Sequence, residues 1–248
     1  RRHRCIRDSY TLIDEKNRQD IHLSIGRGLR NMSPGLKDDN RITDIARHLN
    51  MGMELIDDND ELLQLAQSNQ HVGQHAYRNA AYQISLEHYK YSETCLTSVT
   101  DNPWQSHYQF MLQLQLQLAD TEFINGNFKK ASTIIQKALD HATEVLDKIK
   151  LYTLSIYQNT VQANYSQAIE AGVKGLALLG ISLSLDDLEQ HLNKEFHQLK
   201  TDIEDRGISD LLNSPKMQND NMLAAMQLIM NMQPTAYMSQ PKLYAVLA

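Results

Sequence analysis

His71 and His75 stand four residues apart, so on a helix both imidazoles share one face. That spacing can chelate zinc. Val72, Gly73 and Gln74 lie between them, so the glutamate base of a His-Glu-x-x-His metalloprotease is missing. No third ligand has an obvious claim. His71 and His75 are therefore metal candidates whose expected state is a pair of partly exposed, unliganded helix histidines. Three carboxylate pairs, Asp38-Asp39, Asp57-Asp58 and Asp186-Asp187, fall where loops or helix starts are expected. There, acids cap backbone N–H groups and complement the helix dipole without any catalysis. Neither Cys5 nor Cys95 sits beside an evident histidine base, and Cys95 reads as a small core residue.

Other reaction signatures are missing. The chain holds no G-x-x-x-x-G-K-S/T phosphate loop, no G-x-S-x-G elbow and no C-x-x-C pair. Gly26-Arg27-Gly28 is a lone G-x-G inside a helical pattern, not after a strand. Met222, Met226, Met230, Met232 and Met238 are either an adaptable binding surface or, more simply, core. No catalytic residue and no cofactor is expected, and no binding face is assigned.

The elements that position these groups read as helices. Of 248 residues, 42% are hydrophobic and 22% charged, an ordinary globular balance. Ten Gly and five Pro are too few for a turn-rich β chain. The net charge of −6 disfavours a nucleic-acid binder, which needs excess Lys and Arg to displace phosphate counterions. Mean hydropathy is −0.48, and no apolar run approaches the ~20 residues of a membrane span. Two cysteines make no disulfide framework, and a reducing cytoplasm fits. The chain opens RRHRCIRDSY without an initiator Met and closes KLYAVLA without a helix stop. A fragment of a longer protein, cut at both ends, is expected.

Periodicity predicts a helix over Glu15 to Asn31, then a loop to Asn40, then a helix carrying Ile42, Ile45, Leu49 and Met53. Two more follow, from Asp60 towards Tyr77 and from Tyr82 to Leu96. A fifth runs from Trp104 to Phe123. Its FMLQLQLQLA core alternates with period two, as a strand would, but lacks β-branched residues and is assigned to a helix buried from two sides. Helices from Phe128, Asp147 and Ser166 come next. Ser184 and Asp187 look like a capping pair for a ninth. Pro234 is expected to end a Met-rich helix begun at Met222.

A repeat runs through this pattern. Asn127-Phe128-x-x-Ala131 and Asn164-Tyr165-x-x-Ala168 each open a helix, with 37 residues between the aromatics. A looser copy, Ala81-Tyr82-x-x-Ser85, lies 46 residues before the middle one. The small residue lets two helices approach while the ring plugs the turn, so Phe128 and Tyr165 are expected at equivalent corners. Val72-Gly73, Leu118-Ala119 and Ser155-Ile156 hold the matching first-helix position. Helix pairs at this period predict an all-α fold, an α-solenoid of antiparallel helix pairs of tetratricopeptide type. The expected organisation is 1–56 as N-terminal helices, 57–180 as the helix pairs and 181–248 as further helices.

The stretch Ile21-His22-Leu23-x-Ile25-Gly26-Arg27, with Asp44-Ile45-x-x-His48-Leu49-Asn50-x-Gly52-x-x-Leu55-Ile56, resembles a block in very large bacterial signalling proteins. These look like fusions of a Ser/Thr-kinase-like domain, a STAND/AAA-type ATPase, a helical repeat region, a GAF domain and a histidine kinase. Trp104-x-x-x-Tyr108, Leu176-x-Leu178-Leu179-Gly180-Ile181 and Leu223-Ala224-Ala225-Met226 fit the same region. The resemblance implies a non-catalytic scaffold or regulatory segment, following an ATPase, that contacts protein. No nucleotide-binding or phosphoacceptor residue carries over. A free-standing peptide-binding adaptor is the alternative, and a metal-dependent enzyme using His71 and His75 is a third class.

Overall fold

The computed structural model describes residues 14–32, 39–206 and 216–248. Twelve α-helices and one 3₁₀ turn account for most of them, and no strand occurs among the described residues. The expected loop at Pro34-Gly35, Asp38, Cys5, Gly207 and Pro215 lie outside the described residues. The helices are α1 Glu15–Asn31, α2 Asp39–Met51, α3 Asn59–Arg78, α4 Tyr82–Val99, α5 Pro103–Ser106 and α6 Tyr108–Ile124. They continue as α7 Phe128–His141, α8 Val145–Val161, α9 Tyr165–Leu178, α10 Leu188–Arg206, α11 Asp220–Ser239 and α12 Pro241–Leu247. The chain forms two compact units, one up to Ile134 and one from Ile135.

In the first unit α1 pairs with α2, α2 with α3, α3 with α4, and α4 with α6. Leu23, Ala46, Leu49, Leu65, Ala66, Val72 and Cys95 form its main core. Gly26 permits the α1–α2 contact: a Cβ there would fall 2.6 Å from Leu49 Cδ2. In the second unit α8, α9 and α11 pack on one another, with Ile149, Ile156, Ile169, Leu176, Leu228 and Met232 at the centre. The residues at 172 and 175 are glycine for a reason visible here. A Cβ at Gly172 would fall 2.2 Å from Met232 Sδ, and one at Gly175 2.8 Å from Leu228 Cδ1. Both glycines admit α11 against α9.

The helix pairs share one turn. After α3, α6 and α8 the chain turns through a left-handed residue: Ala80 (φ 56), Gly126 (φ 81) and Ala163 (φ 59). Each turn closes with the same two backbone bonds. Ala81 N–H reaches the Ala76 carbonyl (2.9 Å), Asn127 N–H that of Glu122 (2.9 Å) and Asn164 N–H that of Asn159 (2.8 Å). Ala80, Gly126 and Ala163 bond back to Tyr77, Phe123 and Thr160. This is the Schellman pattern, and it satisfies helix-end carbonyls that would otherwise lack donors. Tyr82, Phe128 and Tyr165 follow at the same step. Three residues on, Ser85, Ala131 and Ala168 are each fully buried. Tyr82 packs edge-on to Tyr77 at 5.4 Å and Phe128 lies 5.1 Å from Phe123, so these two rings sit against the end of the preceding helix.

Four local expectations change. The helix expected over Trp104–Phe123 is broken at His107 (φ −136, ψ 45), leaving the short α5 before α6. Met53 belongs not to α2 but to a 3₁₀ turn, because Gly52 brings the backbone against α1; a Cβ there would fall 2.8 Å from the Gln19 carbonyl oxygen. α10 starts at Leu188 after a turn, so Ser184 does not cap it. α11 does not stop at Pro234 but runs to Ser239. Pro234 lies on the exposed side of the helix, so the one backbone bond it cannot donate, to the Met230 carbonyl, is lost away from the core. Burial of Met232 and Ala236, and a Thr160–Thr235 hydroxyl bond of 2.5 Å, hold the helix on.

Candidate functional site

The chemistry-bearing residues are drawn into structural roles. His71 and His75 do share a face of α3, and both are about half exposed. Their partner is Asp39 in the first turn of α2: His71 Nε2 lies 2.6 Å from one carboxylate oxygen and His75 Nε2 3.5 Å from the other. The Asp39 carboxyl is held below its usual range, first by the His71 bond, then by the His75, His71 and Arg78 charges. Nothing in sequence spacing joins residue 39 to residue 71. Among the described residues no group of three or more His, Cys, Asp or Glu is arranged to hold a metal ion.

Asp58 caps α3, accepting from the Asp60 N–H at 3.0 Å. Asp186 and Asp187 lie in the turn before α10. Arg27, between Gly26 and Gly28, is no phosphate ligand: it donates to both Glu61 oxygens, and Arg30 donates to Oε1. Cys95 is fully buried, its Sγ 3.3 Å from Met53 Sδ. Burial pushes that thiol up to about 12, so it is no nucleophile. Met232 is core, whereas Met222, Met226, Met230 and Met238 are 44%, 52%, 63% and 64% exposed.

A concave polar site does exist in the first unit. Gln74, Tyr77 and Arg78 of α3, Tyr89 of α4, and Gln113, Gln117 and Asp120 of α6 line a cavity of about 320 Å³. α3 and α6 are the first helices of successive pairs. The Tyr77 hydroxyl donates to Asp120 Oδ2 at 2.6 Å, and Gln70 donates to Gln117 Oε1 at 3.0 Å. These bonds hold the two helices in fixed register. Gln113 and Gln117 are one helical turn apart, which the period-two run LQLQLQL conceals. Gln115, between them, is buried and donates to Glu93 at 2.7 Å. The site offers amides, one guanidinium and one carboxylate on a rigid floor. Those groups can donate and accept hydrogen bonds. It has no nucleophile–base pair.

No family model and no solved structure matches the chain. A curated signalling protein does. Over 179 residues, 69% of this chain, it is 29% identical to the hybrid signal transduction histidine kinase G of Dictyostelium discoideum. The chain spans only 5% of that protein's length. The similarity links the chain to signal transduction. No helix among the described residues is long and apolar enough to cross a membrane.

Proposed function

We propose that the chain is a non-catalytic, tetratricopeptide-like scaffold segment of a large multidomain signalling ATPase or kinase. It contacts other domains of the same polypeptide, or a protein partner, through the groove between α3 and α6. The observation that carries the reading is this polar groove on the first helices of successive pairs that share one turn geometry. The role of the Dictyostelium relative in histidine-kinase signalling supports the setting. Helix pairs stacked in this way present side chains on a stiff frame, which can transmit a change in one domain to another. On this reading the segment uses no cofactor or metal and works in the cytoplasm.

The test is a photo-crosslinking amino acid at the exposed Gln113 in the parent protein. Crosslinks to another domain or a protein partner, lost on Arg78→Ala with Gln117→Ala, are expected. Unchanged crosslinks in that double variant, or turnover of ATP or a phosphoryl acceptor by the segment alone, would overturn the reading.

A further inference from the structure

α2 is held at two places by histidines that respond to acid in opposite directions. One turn before its C-terminus, His48 faces His22 of α1. The two Nδ1 atoms are 2.7 Å apart and the rings 4.9 Å, tilted by 31°. Such a bond needs one N–H and one lone pair. Two imidazoliums offer two N–H groups, no lone pair and two like charges. In the first turn of α2 the chemistry is reversed. Asp39 already accepts from His71, with His75 close by, and protonating either ring makes that contact charge-assisted.

We propose that the α1–α2 contact is an acid-released latch: once both rings carry a proton, α1 loosens from α2 at His22–His48 while α2 stays fastened to α3 through Asp39. The surrounding charges leave that latch in command. His48 feels His22 across the contact, and Arg47 and Asp44 on its own helix; those two bond each other at 2.9 Å. Burial and the His22 charge both hold the His48 ring below the usual histidine range. Asp39 feels His71, His75 and Arg78 from α3. Glu61 of α3 is occupied by Arg27 and Arg30, and Glu54 of the 3₁₀ turn by Gln19. Arginine does not titrate in this range, so α1 stays tethered at Arg27 and Arg30 while its His22 end opens. Opening uncovers Leu23 and Leu49, which are buried against each other's helices.

Hydrogen exchange on the full chain tests this at about pH 7.5 and about pH 5, the lower value well beneath the usual histidine range. After correction for intrinsic exchange, α1 amides should lose protection several-fold at the lower pH while α3 amides keep theirs. His48→Gln should erase the pH step in α1. Asp39→Asn should leave that step in place and weaken only the first turn of α2. Equal α1 protection at both pH values overturns the proposal, as does a step that survives His48→Gln. Should His48→Gln fail to fold, NMR titration of the unaltered chain decides. The α1 amide shifts should move together with the His22 and His48 ring resonances. Amide shifts that ignore those rings overturn the proposal equally.

Discussion

Gly73 of α3 lies against the ring of Tyr89 in α4: a Cβ at residue 73 would fall 2.5 Å from Tyr89 Cε1 and 2.6 Å from Cδ1. Tyr89 is 2% exposed, so its ring is packed on nearly every side. Burial also pushes its hydroxyl up to about 12. Gly73→Ala gains helix propensity of about 1 kcal/mol but overpacks a closed interface, which costs about 1–3 kcal/mol. Net destabilisation is expected in urea unfolding. Adding Tyr89→Leu should return part of the loss, because the smaller side chain leaves room for the new methyl. Additive losses in the double variant would refute the contact as its cause.

The three equivalent turns make a second prediction, of opposite sign at different copies. Ala80 and Ala163 hold left-handed backbone that costs a Cβ-bearing residue about 1 kcal/mol; Gly126 holds it without that cost. Ala80→Gly and Ala163→Gly should therefore each raise stability by about 0.5–1 kcal/mol, and Gly126→Ala should lower it by about 1 kcal/mol. Thermal midpoints of the three variants read the result directly. Loss of stability on Ala163→Gly would show that the turn is not held as described.

Those same turns explain what could be read from the sequence. The aromatic-x-x-small pattern at Phe128 and Tyr165 marks helix entries: Phe128 packs on Phe123, and the small residues Ala131 and Ala168 are fully buried. Gly126 and Gly180 announce their turns. Ala80 and Ala163 do not, since alanine is a helix former and carries no turn signal. Pro234 misleads for the converse reason: burial of its neighbours outweighs one missing hydrogen bond on the wet side of α11. The groove stays hidden because Gln113 and Gln117 sit inside an apparent strand pattern, and because Arg78 and Asp120 meet only after folding. Asp39 as the partner of His71 and His75 is long-range in the same way.

Glu61 gives a third prediction. Its side chain is 8% exposed and bonds to Arg27 and Arg30, joining α1 to α3. Glu61→Gln removes the charge and leaves two guanidiniums facing a neutral amide, a loss of about 1–3 kcal/mol. The Arg27 bond, then the Arg30 bond and both charges, hold the Glu61 carboxyl below its usual range despite burial. A depressed carboxyl adds stability that is complete above its unfolded value and lost as pH falls through the folded one. The unaltered chain should thus lose stability below about pH 4.5 more steeply than Glu61→Gln does. Parallel acid titrations of the two would refute the assignment.

The buried amide network between α2, α3 and α4 gives the fourth. Asn50 and Asn69 exchange two side-chain bonds of 2.8 and 2.7 Å, and Asn69 Nδ2 also donates to the Leu65 carbonyl at 3.1 Å. That fixes Asn69 Oδ1 as an acceptor, so the 2.8 Å contact from His88 Nδ1 is a donated N–H. Nearby, Ser92 Oγ donates to the Ala66 carbonyl at 2.8 Å. Asn69→Leu strands the Asn50 amide and the His88 N–H away from water, and a loss of about 2–4 kcal/mol is expected. Burial holds His88 below the usual histidine range, Glu87 opposing only in part. A base depressed by folding contributes stability that is complete above its unfolded value, about 6.5, and disappears as pH falls through the folded one. Urea midpoints of the unaltered chain should therefore drop between about pH 8 and about pH 5.5 by more than those of His88→Gln, which keeps a donor but cannot take a proton. Identical drops would refute burial of His88 as the source of the acid sensitivity.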